Sequence, residues 1–167
     1  MKLVLFILIL LLLPTVLSLE VQIKDNYNRG ETLIAKITGI TDSIIQPENI
    51  YFYRDKARIP VIYDVAKLQD NFYVYSILPE NAGNYTLRIK DVTYRDGTKV
   101  LTSDIEKNFS ISDKLTLFNV NPGYIVTNDG FSIKLQNLQP LSVDININSV
   151  FSSLQTVNVK VGEEKSI

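Results

Sequence analysis

The 167-residue chain has no cysteine, no histidine and no tryptophan. Without cysteine there is no disulfide framework, no thiolate metal site and no thiol nucleophile. Without histidine the chain lacks both the commonest general base and the commonest transition-metal ligand. It also lacks an excess of charge. Lys+Arg 17 against Asp+Glu 18 gives a net charge of -1, which argues against a nucleic-acid partner, whose phosphates need a basic surface. No Ser-His pair, glycine-rich phosphate loop or metal cluster occurs. The carboxylates Asp64, Asp70, Glu80, Asp91 and Asp96 are scattered over different turns and strands. A glycosidase needs two acids about 5–10 Å apart across a cleft, and the spacing sets up no such pair. The expectation is a non-catalytic chain without a cofactor.

What is present begins with an export signal. Met1 and Lys2 make a short positive start, Leu3 to Leu13 is an unbroken apolar run, and Pro14 breaks it ahead of Val16-Leu17-Ser18. This predicts a signal peptide over 1–18, cleaved after Ser18. An uncleaved signal anchor is the alternative, although the run is short for a span of about 20 residues. Either way the chain is expected at the cell surface or outside the cell.

After residue 20 the pattern alternates with period two. Leu19, Val21 and Ile23 share one face of a first strand, and Thr32 to Ile37 form a second. Asn49 to Arg54 form a third. Arg58 to Leu68 and Phe72 to Leu78 read as a hairpin, with Pro60 marking an edge or a bulge. In LPENAGNYTL, residues 78–87, a strand stops at Pro79, a polar corner follows, and Tyr85 opens the next strand. Asp96-Gly97 is a strong turn signal joining that strand to a last one over Thr98 to Ile111. The pattern predicts an all-β antiparallel sandwich of about seven strands over 19–113.

Asn81, Gly83, Tyr85 and Leu87 resemble the immunoglobulin-superfamily pattern Asp-x-Gly-x-Tyr-x-Cys, with Asn81 at the Asp and Leu87 at the second Cys. The Gly30-Glu31 step resembles the first hairpin of macroglobulin-like and Ig-like modules. Such modules occur in exported prokaryotic cell-surface proteins, archaeal ones among them. The resemblance implies an Ig-like sandwich without its usual disulfide. Tyr85 would then donate its hydroxyl to upstream backbone and pin the corner.

Ser112-Asp113-Lys114 is a polar step, after which alternation restarts over 115–167. Leu115 to Val120 reads as a strand. Phe131, Ile133 and Leu135 share a face, as do Val143, Ile145 and Ile147, and again Val157, Val159 and Val161. This resembles the opening half of a second Ig-like module, expected to be incomplete and to continue past Ile167. A small sheet packed on the first module, or completion by a partner, are the alternatives.

Asn84-Tyr85-Thr86 and Asn108-Phe109-Ser110 are N-glycosylation sequons, which makes Asn84 and Asn108 candidate acceptors. Tyr51, Tyr53, Tyr63, Tyr73 and Tyr75, with Phe72, cluster in the middle of the first module. They are a candidate ligand face, weighed against ordinary cross-strand packing. Asp25, Asn26, Asn28 and Glu31 offer oxygens, but Tyr27 and Arg29 break the spacing of a calcium loop. The function expected is structural, adhesive or protein-contacting, with a partner protein or glycan at the cell surface. A carbohydrate-binding module, or an accessory domain of a larger exported enzyme, is the alternative. Membrane contact is expected only through the N-terminal segment or an anchor beyond Ile167.

Overall fold

A computed structural model describes residues 19–39, 43–149 and 152–167. The expected signal peptide lies outside them. The described chain is nearly all β, with one short 3-10 turn at Pro47–Asn49. The first module has nine strands: β1 (Glu20–Gln22), β2 (Asn26–Arg29), β3 (Thr32–Thr38), β4 (Ile50–Arg54), β5 (Ala57–Ile59), β6 (Ile62–Leu68), β7 (Asn71–Ile77), β8 (Gly83–Asp96) and β9 (Lys99–Leu115). They form two sheets, ordered β1-β3-β7-β6 and β2-β9-β8-β4-β5.

The pleat explains why the sheets face each other. Side chains alternate across a strand, so one apolar set per strand points inward. Leu33, Ala35, Ile37, Phe72 and Val74 come from the first sheet. Ile50, Phe52, Tyr85, Leu87, Ile89, Phe109 and Ile111 come from the second, and all belong to one buried cluster. This is a two-layer, sandwich-like packing.

Local chemistry moved several boundaries. The expected first strand ends early, at Gln22. The chain leaves the first sheet after Gln22 and joins the second at Asn26, where β2 runs parallel to β9. Pro60, with no N–H to donate, stands at the break between β5 on one sheet and β6 on the other. The turn between β8 and β9 sits one residue later than Asp96-Gly97 predicts. Asp96 pairs with Lys99, so Gly97 and Thr98 are the central residues. β9 runs through the polar step Ser112-Asp113-Lys114 as far as Leu115.

The second stretch adds β10 (Phe118–Asn121), β11 (Lys134–Asn137), β12 (Val143–Ser149), β13 (Ser152–Val159) and β14 (Glu164–Ser166). A β10-β11-β14 sheet and a β12-β13 hairpin share a small core of Leu135, Ile145, Val157 and Val159. Two expected core positions are outside it. Phe131 precedes β11 and Val161 follows β13, and both are exposed. Asn137 is buried and organises this core. Its amide donates to the carbonyls of Leu141 (2.8 Å), Val159 (3.0 Å) and Lys160 (3.1 Å), and its oxygen accepts from the Gln139 N–H (2.8 Å).

Asn137→Leu keeps the volume roughly but strands those groups. A loss of about 1–3 kcal/mol is expected. Hydrogen exchange should accelerate at β11 to β14 while β3 and β8 keep their protection. Equal acceleration throughout the chain would contradict a local role.

Candidate functional site

The corner at residues 81–87 is built by three contacts. The Tyr85 hydroxyl donates to the Asn81 carbonyl at 2.6 Å, while its ring is buried and stacks on Phe109 with centroids 5.7 Å apart. Gly83 has φ 146°, in the region L side chains avoid, and a Cβ there would lie 3.3 Å from the Arg54 guanidinium. Arg54 in turn donates to the Ala82 carbonyl at 3.0 Å. Leu87 is buried at the centre of the inward face. Burial raises the Tyr85 hydroxyl above its ordinary pKa, with Arg54 acting the opposite way.

The five tyrosines do not make one face. Tyr51 and Tyr53 lie on the outer side of the second sheet, stacked at 6.5 Å. Tyr63 points inward, tilted on Phe52 at 5.9 Å, and donates to the Pro47 carbonyl at 3.1 Å. Tyr73 and Tyr75 lie on the outer side of the first sheet, beneath the second module. A single tyrosine platform is therefore excluded by strand alternation. Inward and outward tyrosines cannot be coplanar, and the two outward pairs belong to opposite layers of the sandwich.

What covers Tyr73 and Tyr75 is a seam that sequence patterning missed. Tyr124 stacks on Tyr73 at 4.3 Å with an interplanar angle of 12°. The Tyr75 hydroxyl donates to Asn121 Oδ1 at 3.4 Å. Thr32 and Val120 exchange two bonds: Thr32 Oγ1 donates to the Val120 carbonyl at 3.0 Å, and the Val120 N–H donates back at 2.9 Å. The Thr116 N–H reaches the Arg29 carbonyl at 3.0 Å. Gly123 packs against Thr32 and Tyr75 so closely that any Cβ would clash. Asn121-Pro122-Gly123 reads as a turn, and nothing in that pattern signals a docking element.

The sequons lie side by side. Asn84 pairs with Ser110, and Thr86 pairs with Asn108, all on the outer face of the second sheet. Asn84 and Asn108 are exposed. Thr86 donates its hydroxyl to Asn108 Oδ1 at 2.8 Å. The same face carries Arg88, held by Asp104 at 2.8 Å and Glu106 at 3.4 Å. A backbone N–H from Asp91 and then Arg88 hold the Asp104 carboxyl below its ordinary pKa.

The oxygens of the 25–31 turn do not converge on a cation. Glu31 accepts from Lys24 at 2.7 Å and from the Asn28 N–H at 2.8 Å. Asn26 and Asn28 accept from Ser110 and Ser112. Among the described residues no group of acids is arranged to hold a metal. A shallow cleft of about 440 Å³ opens beside β4 and β5, lined by Tyr51, Phe52, Arg58, Pro60, Val61 and Tyr63. No family model and no curated protein matches the chain.

Two tests follow from these contacts. Tyr85→Phe removes the donor of the part-buried bond to the Asn81 carbonyl and is expected to cost about 0.5–1.5 kcal/mol, read as a lower denaturation midpoint. No change would mean the corner is held without this bond, by ring packing and the Arg54–Ala82 contact. Tyr27 gives an alkaline test. Burial, offset in part by the Lys24 N–H and helped by Glu31 and Asp25, raises its pKa from 10.0 to about 12. Folding thus favours the neutral phenol. That stability is whole below pH 10 and is lost as pH rises towards 12. Tyr27→Phe should flatten the decline between those pH values in thermal melts.

Proposed function

We propose that the chain is an exported, modular cell-surface protein, non-catalytic, whose β units act as a rigid spacer and as contacts for other proteins. The single observation that carries this reading is the seam. The second module is joined by a strand that runs on from the first, and paired hydrogen bonds and a tyrosine stack hold it there. A device of this kind transmits orientation between units, which a spacer needs and a flexible tether lacks.

In this reading the first module is an Ig-like sandwich. Its order β1-β3-β7-β6 against β2-β9-β8-β4-β5 parallels the two sheets of that fold. Tyr85 takes the part of the tyrosine corner, and Leu87 packs where an inter-sheet disulfide would otherwise stand. Export rests on the apolar N-terminal run, and Asn84 and Asn108 are the acceptors we assign if the host glycosylates. Fold does not carry function, so the spacer role rests on the seam and on the absence of histidine and cysteine from the chain.

Gly123→Val tests it. The added side chain collides with Thr32 and Tyr75 and should free the second module from the first. Small-angle scattering is expected to show a larger maximum dimension and a broader distance distribution than the wild type, and trypsin should cut after Lys114 faster. Unchanged scattering and cleavage would contradict a seam that fixes orientation.

A further inference from the structure

The outer face of the β2-β9-β8-β4-β5 sheet carries side chains that the spacer role leaves unused. Tyr51 and Tyr53 stand stacked on β4. Arg58, from β5, holds its guanidinium 4.4 Å from the Tyr51 ring centroid, and Lys90, from β8, holds its ammonium at 4.8 Å. Asp104 and Glu106 on this face pair with Arg88, and Lys90 also acts electrostatically on Asp104. Among the described residues neither Arg58 nor Lys90 forms an ion pair.

That distinction matters. A carboxylate partner would cancel most of a cation's outward field. A ring quadrupole attracts the cation without neutralising it. Arg58 is therefore held in position with its charge open to an anion, and Lys90 keeps the part of its field that Asp104, already paired with Arg88, does not offset. The register adds a second element. One row across the sheet reads Arg58, Tyr53, Thr86, Asn108. It lines up a cation, an aromatic ring, a hydroxyl and a carboxamide at the inter-strand spacing of about 4.8 Å. Beside Arg58 lies the 440 Å³ cleft, which adds apolar wall from Pro60 and Val61.

We propose that this face binds an anionic polysaccharide. Its carboxylate or sulfate groups sit at Arg58 and Lys90, its pyranose rings lie against Tyr53 and the edge of Tyr51, and its hydroxyls meet Thr86 and Asn108. An acidic peptide would satisfy the two cations but leave the ring and the hydroxyl–amide row uncovered. A sugar chain offers ring faces, hydroxyls and charge together. The proposal does not depend on the spacer role, since failure to bind sugar leaves the seam and its scattering test untouched.

The test uses the full chain, made without glycans, in affinity electrophoresis and titration calorimetry. The probes are polygalacturonate, its fully methyl-esterified form, dextran sulfate and poly-glutamate. Binding to polygalacturonate or dextran sulfate is expected, with at least ten-fold weaker binding to the ester and to poly-glutamate. Which of the two acidic polymers binds more tightly identifies the charged group. Arg58→Gln, Lys90→Gln and Tyr53→Ala should each weaken binding several-fold with unchanged circular dichroism. Lys67→Gln removes the cation over Phe72 on the other sheet and should leave binding unchanged. Failure to bind either acidic polymer would overturn the proposal. So would equal affinity for the ester or for poly-glutamate, or an equal loss in Lys67→Gln.

Discussion

No disulfide ties the two sheets of the first module together, so their packing depends on one apolar layer between them. Leu33, Ile37 and Val74 on one side meet Phe52, Leu87 and Ile89 on the other, all essentially without solvent access. Each such side chain contributes about 1.5–3 kcal/mol relative to exposure. These terms must also hold the positions that are conformationally costly. Asp91 has φ 56° at the bulge where β8 shifts register against β9 between Ile89 and Val92. Its N–H is taken up by Asp104 at 3.2 Å, so the strand regains its inward phase at Val92, which is fully buried.

The seam between the modules is made differently. It is made of directed contacts: the Thr32–Val120 exchange, the Tyr73–Tyr124 stack, and a glycine whose missing side chain lets Thr32 and Tyr75 pack close. The Thr116 N–H extends the directed pattern by donating to the Arg29 carbonyl at 3.0 Å, and Gln139 braces Thr116 from within the second module at 2.7 Å. A hydrophobic seam would tolerate sliding, because burial has no preferred direction. Hydrogen bonds and ring planes fix an angle. The two parts of the chain thus divide the work. Non-directional burial holds each layer pair together, and directional contacts set one module against the next.

Much of this was legible before any coordinates. Period-two alternation identified the strands carrying Leu33, Phe52, Val74, Leu87 and Leu135, because a half-buried strand must alternate. What stayed hidden involved groups whose partners are remote in sequence. Thr32 and Val120 are polar and apolar strand residues with nothing to mark them as mates 88 positions apart. Alternation puts Tyr73 and Tyr75 on one face of their strand without saying which, and their cover comes from a loop that reads only as a turn. The ring cluster illustrates the limit well. Composition brought five tyrosines together on paper, and sheet membership, which period two does not encode, divided them. Asn137 was invisible for the same reason. An asparagine beside a strand end reads as a turn residue until the three carbonyls it serves are known.

The row through Tyr53, Thr86 and Asn108 has a consequence for how the protein is handled. Asn108 and the Tyr53 ring stand on one surface, two strands apart with Thr86 between them. A sugar tree rooted at Asn108 would overhang Tyr53 and roof the cations beyond it, while the opposite layer, with its seam, stayed bare. The host in which the chain is made therefore selects which broad surface it presents. A preparation from a glycosylating cell and one from a cell without that machinery would differ on one side only, as a coin differs when a single face is painted.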